Sequence, residues 1–180
     1  MTNIQNIDDW LEKLPNRPNW DIYFMTMAFV ISQRSFDPST KCGCVITSRD
    51  NRVLSTGYNG PIKGSPDPLI PVERPLKYSF FIHSELNALL AYNGSYADIQ
   101  NSKCYITHYP CADCLRSLIQ KGIKTIYYSD ITPPKCIEAT DSSIQQTMIK
   151  QHSIEVIQLS VQDILNNLQT TMQYITSKIN

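Results

Sequence analysis

His83-Ser84-Glu85 and, downstream, Pro110-Cys111-Ala112-Asp113-Cys114 supply three soft metal ligands and one carboxylate that need not ligate. Zinc prefers four nitrogen or sulfur ligands in a tetrahedron, and a catalytic site leaves one position open for water. His83, Cys111 and Cys114 fill three positions, so the chemistry expected is metal-assisted hydrolysis with Glu85 as a free acid–base group. Cys111 and Cys114 are three apart and share a helix face, with Pro110 suiting a helix start whose positive dipole end favours thiolates. His83 and Glu85 are two apart, about 200° around an ideal helix, so they can converge on one ion only at its mouth. The spacing therefore predicts His83 at the N-terminus of a helix running to about Tyr92, with Glu85 in its first turn.

Each motif alone has a plainer reading. A histidine that begins a helix is more often a cap or a packing residue, and Cys-x-x-Cys can be a redox pair, half of a structural zinc site or two buried thiols. A second Cys-x-x-Cys or a His-x-x-x-His is absent from the chain, which argues against a closed structural site. Both motifs in this order, with a strand-like run at Lys103 to Thr107 between them, match the HxE…PCxxC signature of zinc-dependent nucleobase deaminases.

The elements that must hold these residues alternate in type. Trp20, Phe24, Met27 and Ile31 recur at helical spacing, which predicts a helix from about Trp20 to Arg34 burying that face. Strands at Cys42 to Thr47 and Val53 to Tyr58 flank the turn-rich Ser48-Arg49-Asp50-Asn51 and read as an antiparallel hairpin. Gly60 to Phe81, with five prolines, is expected as a long ordered loop near the site. The His83 helix, the Lys103 strand, the Cys111 helix to about Lys121 and a strand at Thr125 to Ser129 follow. A helix near Glu138 to Gln151, a strand at Ile154 to Leu159 and an amphipathic helix from Val161 with Ile164, Leu165, Leu168, Met172 and Ile175 complete an α/β sandwich. That last stripe is either intramolecular core or a subunit contact.

A 180-residue chain with 16 basic and 16 acidic residues is large enough to bury a core unaided, and its zero net charge disfavours general nucleic-acid binding. No run of about 18 apolar residues occurs, so no membrane span is expected. Without a signal-like segment the chain reads as cytoplasmic, with its six cysteines reduced. Cys42 and Cys44 are expected as core thiols on opposite sides of a strand, and Cys104 and Cys136 as isolated structural thiols.

From Tyr23 to about Asp130 the chain resembles the deoxycytidylate deaminases of the cytidine deaminase-like superfamily. Beyond the metal motifs, the resemblance is carried by Tyr23-Phe24-Met25, Ser32-Gln33-Arg34-Ser35, Asp37-Pro38-Ser39-Thr40, Gly57-Tyr58-Asn59-Gly60, His83-Ser84-Glu85-Leu86-Asn87-Ala88, Leu118-Ile119-Gln120 and Gly122-Ile123-Lys124. It implies a three-layer α-β-α sandwich around a mixed five-stranded sheet. From their own composition, with Asn, Asp and two prolines around Trp10 and Leu14, residues 1–19 read as an arm that is either packed on the domain or partly mobile. The deaminase domain would span 20–160, and a C-terminal helix over 161–180 would pack on the domain or a subunit interface.

The activity implied is hydrolysis of dCMP to dUMP and ammonia, with Zn2+ on His83, Cys111 and Cys114 and Glu85 shuttling protons. The alternatives are another cytosine nucleotide or nucleoside as substrate, or a catalytically silent zinc-binding regulatory protein. By resemblance, Asn59 contacts the sugar or base, with Gly57 and Gly60 allowing close backbone approach. Arg34, Ser35 and Lys41 are phosphate candidates. Tyr109 either lines the base pocket or packs structurally. The resemblance also implies a symmetric homo-oligomer, a hexamer in many relatives, with dCTP and dTTP as effectors. Two departures stand out: Ser84 occupies a position where the family commonly has alanine, and residues 65–81 differ from the family's usual insert.

Overall fold

Alternation along the strands decides which layer each side chain enters. The computed structural model describes residues 17–66, 70–131 and 139–179, without the side chains of 139–142. Most of the expected arm, including Trp10 and Leu14, and also Cys136 and Glu138, lie outside the described residues. The chain forms α1 (Trp20–Ser32), β1 (Gly43–Thr47), β2 (Val53–Tyr58), β3 (Gly60–Pro61), β4 (Phe81–Ile82), α2 (Ser84–Ala91) and α3 (Tyr96–Ile99). It continues through β5 (Lys103–Ile106), α4 (Ala112–Lys121), β6 (Thr125–Ser129), α5 (Ala139–His152), β7 (Glu155–Leu159) and α6 (Val161–Thr176).

Five of the strands make one mixed sheet in the order β2-β1-β5-β6-β7. The hairpin partner β2 and the neighbour β5 both run antiparallel to β1, whereas β5, β6 and β7 are parallel. Each parallel step is made through a helix, as a crossover requires. Cys44, Ile46, Cys104, Ile106 and Ile126 project to one face, where Ala88, Leu115 and Leu118 bury them with help from Met148 and Ile149. Val45, Tyr105 and Tyr127 project to the other, against Phe24, Met25, Ala28 and Ile164. The expected α-β-α sandwich is therefore built with α2, α4 and α5 on one side and α1 and α6 on the other.

Two details differ from the sequence reading. The buried stripe of α1 is Ile22, Phe24, Met25, Ala28 and Ser32, while Trp20 at the helix start is 55% exposed and stacks on Phe24. The stripe is rotated because α1 meets β1 through its smallest residues: a Cβ on Gly43 would lie 2.0 Å from the Ala28 carbonyl oxygen. Cys42 and Cys44 do not face opposite sides, since positions two apart on a strand project to the same face. Cys44 packs its sulfur 3.4 Å from that of Cys104, and Cys42 lines the cavity on that same side of the sheet.

The described part of the loop after β2 contains regular elements that the sequence reading did not expect. β3 pairs with β4 as a two-stranded ribbon that closes the loop's base, and a 3-10 turn at Leu76–Ser79 lies between them. In α6, Ile164 and Leu168 pack inward with α1, and Asn167 donates to Thr26 Oγ1 at 2.9 Å, whereas Leu165, Met172 and Ile175 are exposed.

Gly57 sets how closely α2 can lie on β2. A Cβ there would meet the Ser84 carbonyl oxygen at 2.3 Å and the Ala88 nitrogen at 2.4 Å, both backbone atoms that cannot rotate away. Gly57→Ala is expected to lift the helix that carries His83 and Glu85 and to cost about 2–3 kcal/mol, an overpacking penalty at the upper end of its usual range. Chemical denaturation reads this directly, and a loss under 0.5 kcal/mol (roughly the noise of a surface substitution) would reject it.

Candidate active site

Two helix N-termini meet on the α2/α4 side of the sheet. His83 is the N-cap of α2 and Cys111 the N-cap of α4, both with extended backbone and neither using its side chain to cap. Their side chains are thus free to point at a third group, and Cys114, in the first turn of α4, supplies it. At the far end of α4, Gly122 takes φ 100°, a left-handed stop that β-carbon sterics reserve largely for glycine, and returns the chain to β6.

His83 Nδ1 lies 3.5 Å from Cys111 Sγ and 3.4 Å from Cys114 Sγ. All three donor atoms lie within 4.8 Å of one another. Ligands at ordinary zinc–nitrogen and zinc–sulfur lengths, placed at tetrahedral angles, stand about 3.6 Å apart. The spacing therefore fits one zinc ion, and among the described residues it is the one such His/Cys/Asp/Glu group. The hydrogen bond from the Cys114 thiol, against the effect of burial and aided by the His83 ring, pulls the Cys111 thiol down to about 4. Cys114, whose proton makes that bond, is pushed upward.

Glu85 follows His83 by two residues and is buried, at 5% exposure. Burial is the main reason its carboxyl is raised above the usual carboxylate range, against the pull of backbone hydrogen bonding and the Ser84 hydroxyl. That hydroxyl donates to Glu85 Oε2 at 2.8 Å, so the serine that departs from the family's alanine reaches the carboxylate directly.

The zinc-binding region of cytidine and deoxycytidylate deaminases, taken as a family model, matches residues 18–130 and so includes all four residues. The chain belongs to this family. Zinc is accordingly its cofactor. It is 37% identical over 127 residues to the deoxycytidylate deaminase of Mus musculus, a match covering 67% of this chain and 66% of the mouse protein. The chain thus spans just under two thirds of that relative's length. An uncharacterized deaminase from the luxG 3′ region of Aliivibrio fischeri is 35% identical over 147 residues, covering 81% of this chain and 97% of that protein. Among solved structures, the dCMP deaminase of cyanophage S-TIM5 in complex with dCMP and dUMP superposes with a TM-score of 0.60. That match has 24% identity and covers 81% of this chain and 100% of that one, which establishes a shared fold.

In this deaminase-family chain a cavity of about 120 Å³ opens beside the His83 group. Of the residues singled out for substrate, Asn59 and Tyr109 line it together with His83, Glu85 and Cys111. Asn59 also organises the wall: its Oδ1 accepts from Cys42 N at 2.7 Å and its Nδ2 donates to Thr40 O at 2.8 Å and Asp37 Oδ2 at 3.3 Å. Tyr109 meets Tyr128 edge-on at 5.0 Å. Arg34, Ser35 and Lys41 do not line this cavity. Arg34 is exposed on a separate groove beside Tyr58 and Lys63, Ser35 is buried and accepts from Asp37 N, and Lys41 is exposed. Gly57 opens its close approach to α2.

Several wall residues escaped the sequence reading. Asp37, Arg74, Lys77, Tyr78, Phe81 and Gln145 line the same cavity. Lys77 is buried and donates to both Asp37 oxygens, at 2.9 and 2.7 Å, which ties the proline-rich loop to the cavity wall. For Arg74, Lys77, Tyr78 and Phe81 the loop's expected nearness to the site was the signal available; the Asp37–Lys77 pair joins positions 40 apart in sequence, and Gln145 lies further still along the chain. His108 also lines the cavity; its Nδ1 lies 3.0 Å from Thr107 Oγ1 and 3.5 Å from Cys42 Sγ, and burial lowers its pKa.

Proposed function

We propose that this chain is a zinc-dependent dCMP deaminase that converts dCMP and water to dUMP and ammonia, supplying dUMP for thymidylate synthesis. The observation that carries this reading is the convergence of His83, Cys111 and Cys114 beside a buried, unligated Glu85. Membership of the cytidine and deoxycytidylate deaminase family supports it, as do the relatives that act as deoxycytidylate deaminases.

His83, Cys111 and Cys114 hold the ion. Zinc bound there supplies Lewis acidity that brings the pKa of a coordinated water near neutrality. Glu85 accepts a proton as the water oxygen adds to C4, and passes it to N3 of the pyrimidine. It then carries the second proton from that oxygen to the C4 amine, which leaves as ammonia while the C4 carbonyl forms. A carboxyl raised by burial suits both tasks, because it can hold a proton as well as accept one. The Ser84 hydroxyl occupies one carboxylate oxygen and leaves the other for the shuttle.

Asn59 and Tyr109 face the substrate in this reading. Arg34, Ser35 and Lys41 stand off the cavity wall, where Arg74 is the better-placed cation for the 5′-phosphate, Lys77 being engaged by Asp37. No helix of the described residues is long and apolar enough to cross a membrane. A cytoplasmic homo-oligomer, hexameric and responsive to dCTP and dTTP, belongs to the same proposal.

The test is turnover of dCMP, CMP, deoxycytidine and dCTP by the purified protein, followed by loss of cytosine absorbance. Conversion of dCMP at a kcat/KM at least about tenfold above the others is expected, in the range that a phosphate- and sugar-reading pocket delivers. Bound zinc without turnover of any of the four would reject the reading and leave a zinc-bearing regulatory protein.

A further inference from the structure

Gln145 is fully buried, at 0% exposure, on the side of the sheet that carries the metal group, and it lines the cavity with Glu85, His108, Tyr109 and Cys111. It lies in α5, beyond the segment that matches the family. Its Nε2 donates to the Pro110 carbonyl at 2.6 Å. A carbonyl oxygen facing another would repel it, so this contact fixes which way the amide points. The other end, Oε1, is buried and has no hydrogen-bond partner among the described residues. An orphaned buried acceptor costs about 1–3 kcal/mol, and native proteins keep such groups rarely; of the three found among the described residues, the Gln145 oxygen is the one whose side chain lines the cavity.

The position of this acceptor is informative. An amide is about 2.3 Å from nitrogen to oxygen, which puts Oε1 within about 5 Å of the Pro110 carbonyl. Pro110 immediately precedes Cys111, and Gln145 shares the cavity lining with Cys111, His83 and Glu85, so the acceptor belongs to the wall that carries the metal group. Of the groups a pyrimidine nucleotide carries there, the exocyclic amine is a donor and its product replacement, a carbonyl, is an acceptor.

We propose that Gln145 Oε1 accepts a hydrogen bond from the exocyclic amine of the cytosine nucleotide, making Gln145 a substrate-contacting residue that distinguishes the amino substrate from the carbonyl product. This rests on the deaminase reading above. Binding of substrate satisfies the orphaned oxygen, whereas product sets two acceptors against each other, which favours release. Such a site rejects the mismatched partner strongly because its own polar group is left unpaired. The Pro110 contact acts alongside: it holds the amide so that its oxygen is presented rather than free to turn.

The experiment compares wild type, Gln145→Met and Gln145→Glu for kcat/KM on dCMP and for inhibition by dUMP, with zinc content and melting temperature measured on each. The glutamate variant keeps an acceptor but not the amide donor to Pro110, and methionine keeps neither. Gln145→Met is expected to lose about 10–100-fold in kcat/KM and to narrow the preference for dCMP over dUMP at least tenfold, with Gln145→Glu retaining most of that preference. Equal losses in both variants with an unchanged dCMP-to-dUMP preference would mean that Gln145 only holds Pro110, and would overturn the inference while leaving the deaminase reading intact. A wild-type protein that turns over no cytosine nucleotide removes both. Gln145→Leu, of similar volume and good helix propensity, replaces the methionine variant should that one fail to reach the wild-type melting temperature.

Discussion

Glu85→Gln is expected to keep its zinc and lose at least about 10³-fold in kcat on dCMP, because the proposed mechanism assigns two proton transfers to this one side chain and general acid–base catalysis alone contributes about 10²–10⁴ per group. Glutamine is nearly isosteric and can still hydrogen-bond the Ser84 hydroxyl, so the helix start and the ligand geometry have no reason to change. It cannot accept a proton from water. The predicted signature is a collapse of kcat with little change in dCMP affinity, since the interaction lost belongs to the transition state. Metal analysis and steady-state kinetics on the same preparation read both halves. A variant with full zinc and near-normal kcat would require a different base.

The second large effect concerns stability. Asp37 receives hydrogen bonds from Ser39 N at 2.8 Å, Thr40 N at 3.3 Å and Asn59 Nδ2 at 3.3 Å, but its charge is balanced by Lys77. Both side chains are only 4% exposed. Lys77→Met leaves a buried carboxylate without a counter-charge, which costs about 3–5 kcal/mol. For a domain of this size that corresponds to a fall in Tm of roughly 6–20 °C. Because Lys77 also anchors the loop that carries Arg74, Tyr78 and Phe81 to the cavity, the KM for dCMP should rise as well. The double change Asp37→Asn with Lys77→Met removes both charges and should be markedly less destabilised than Lys77→Met alone. A single variant within 1 kcal/mol of wild type (about the worth of an exposed pair) would show that the pair is not buried in solution.

The metal group was legible because its information is local. A histidine and a glutamate two apart can share a site only at a helix mouth, and two cysteines three apart must share a helix face; the helix starts at Ser84 and Ala112 follow that logic. The strands from Val53 and Thr125 were legible for the same reason, since turn residues and apolar runs mark them within a few positions. Residues chosen from the loop after α1 fared differently. Arg34, Ser35 and Lys41 had suitable chemistry, but whether a polar side chain reaches a cavity depends on how distant segments pack, and these three lie off its wall. Trp20 illustrates the same limit, whereas Cys42 and Cys44 share a face for the local reason that side chains two apart on a strand project to one side. The helix periodicity marked an apolar face without fixing its rotation, which the Gly43–Ala28 contact decides.

The sequence by itself marked the His/Cys/Cys group with its neighbouring carboxylate and the alternation of helices and strands, because each follows from residue types at short separations where backbone geometry leaves few options. Tertiary structure alone decided that Lys77 neutralises Asp37, that Gly57 seats the zinc helix and that Gln145 enters the cavity beside Pro110. These contacts join segments 27 to 40 residues apart, by the numbering of Gly57 and Ser84, Pro110 and Gln145, and Asp37 and Lys77. At such separations the partner of a side chain is chosen by the packing of whole layers, which no local pattern encodes.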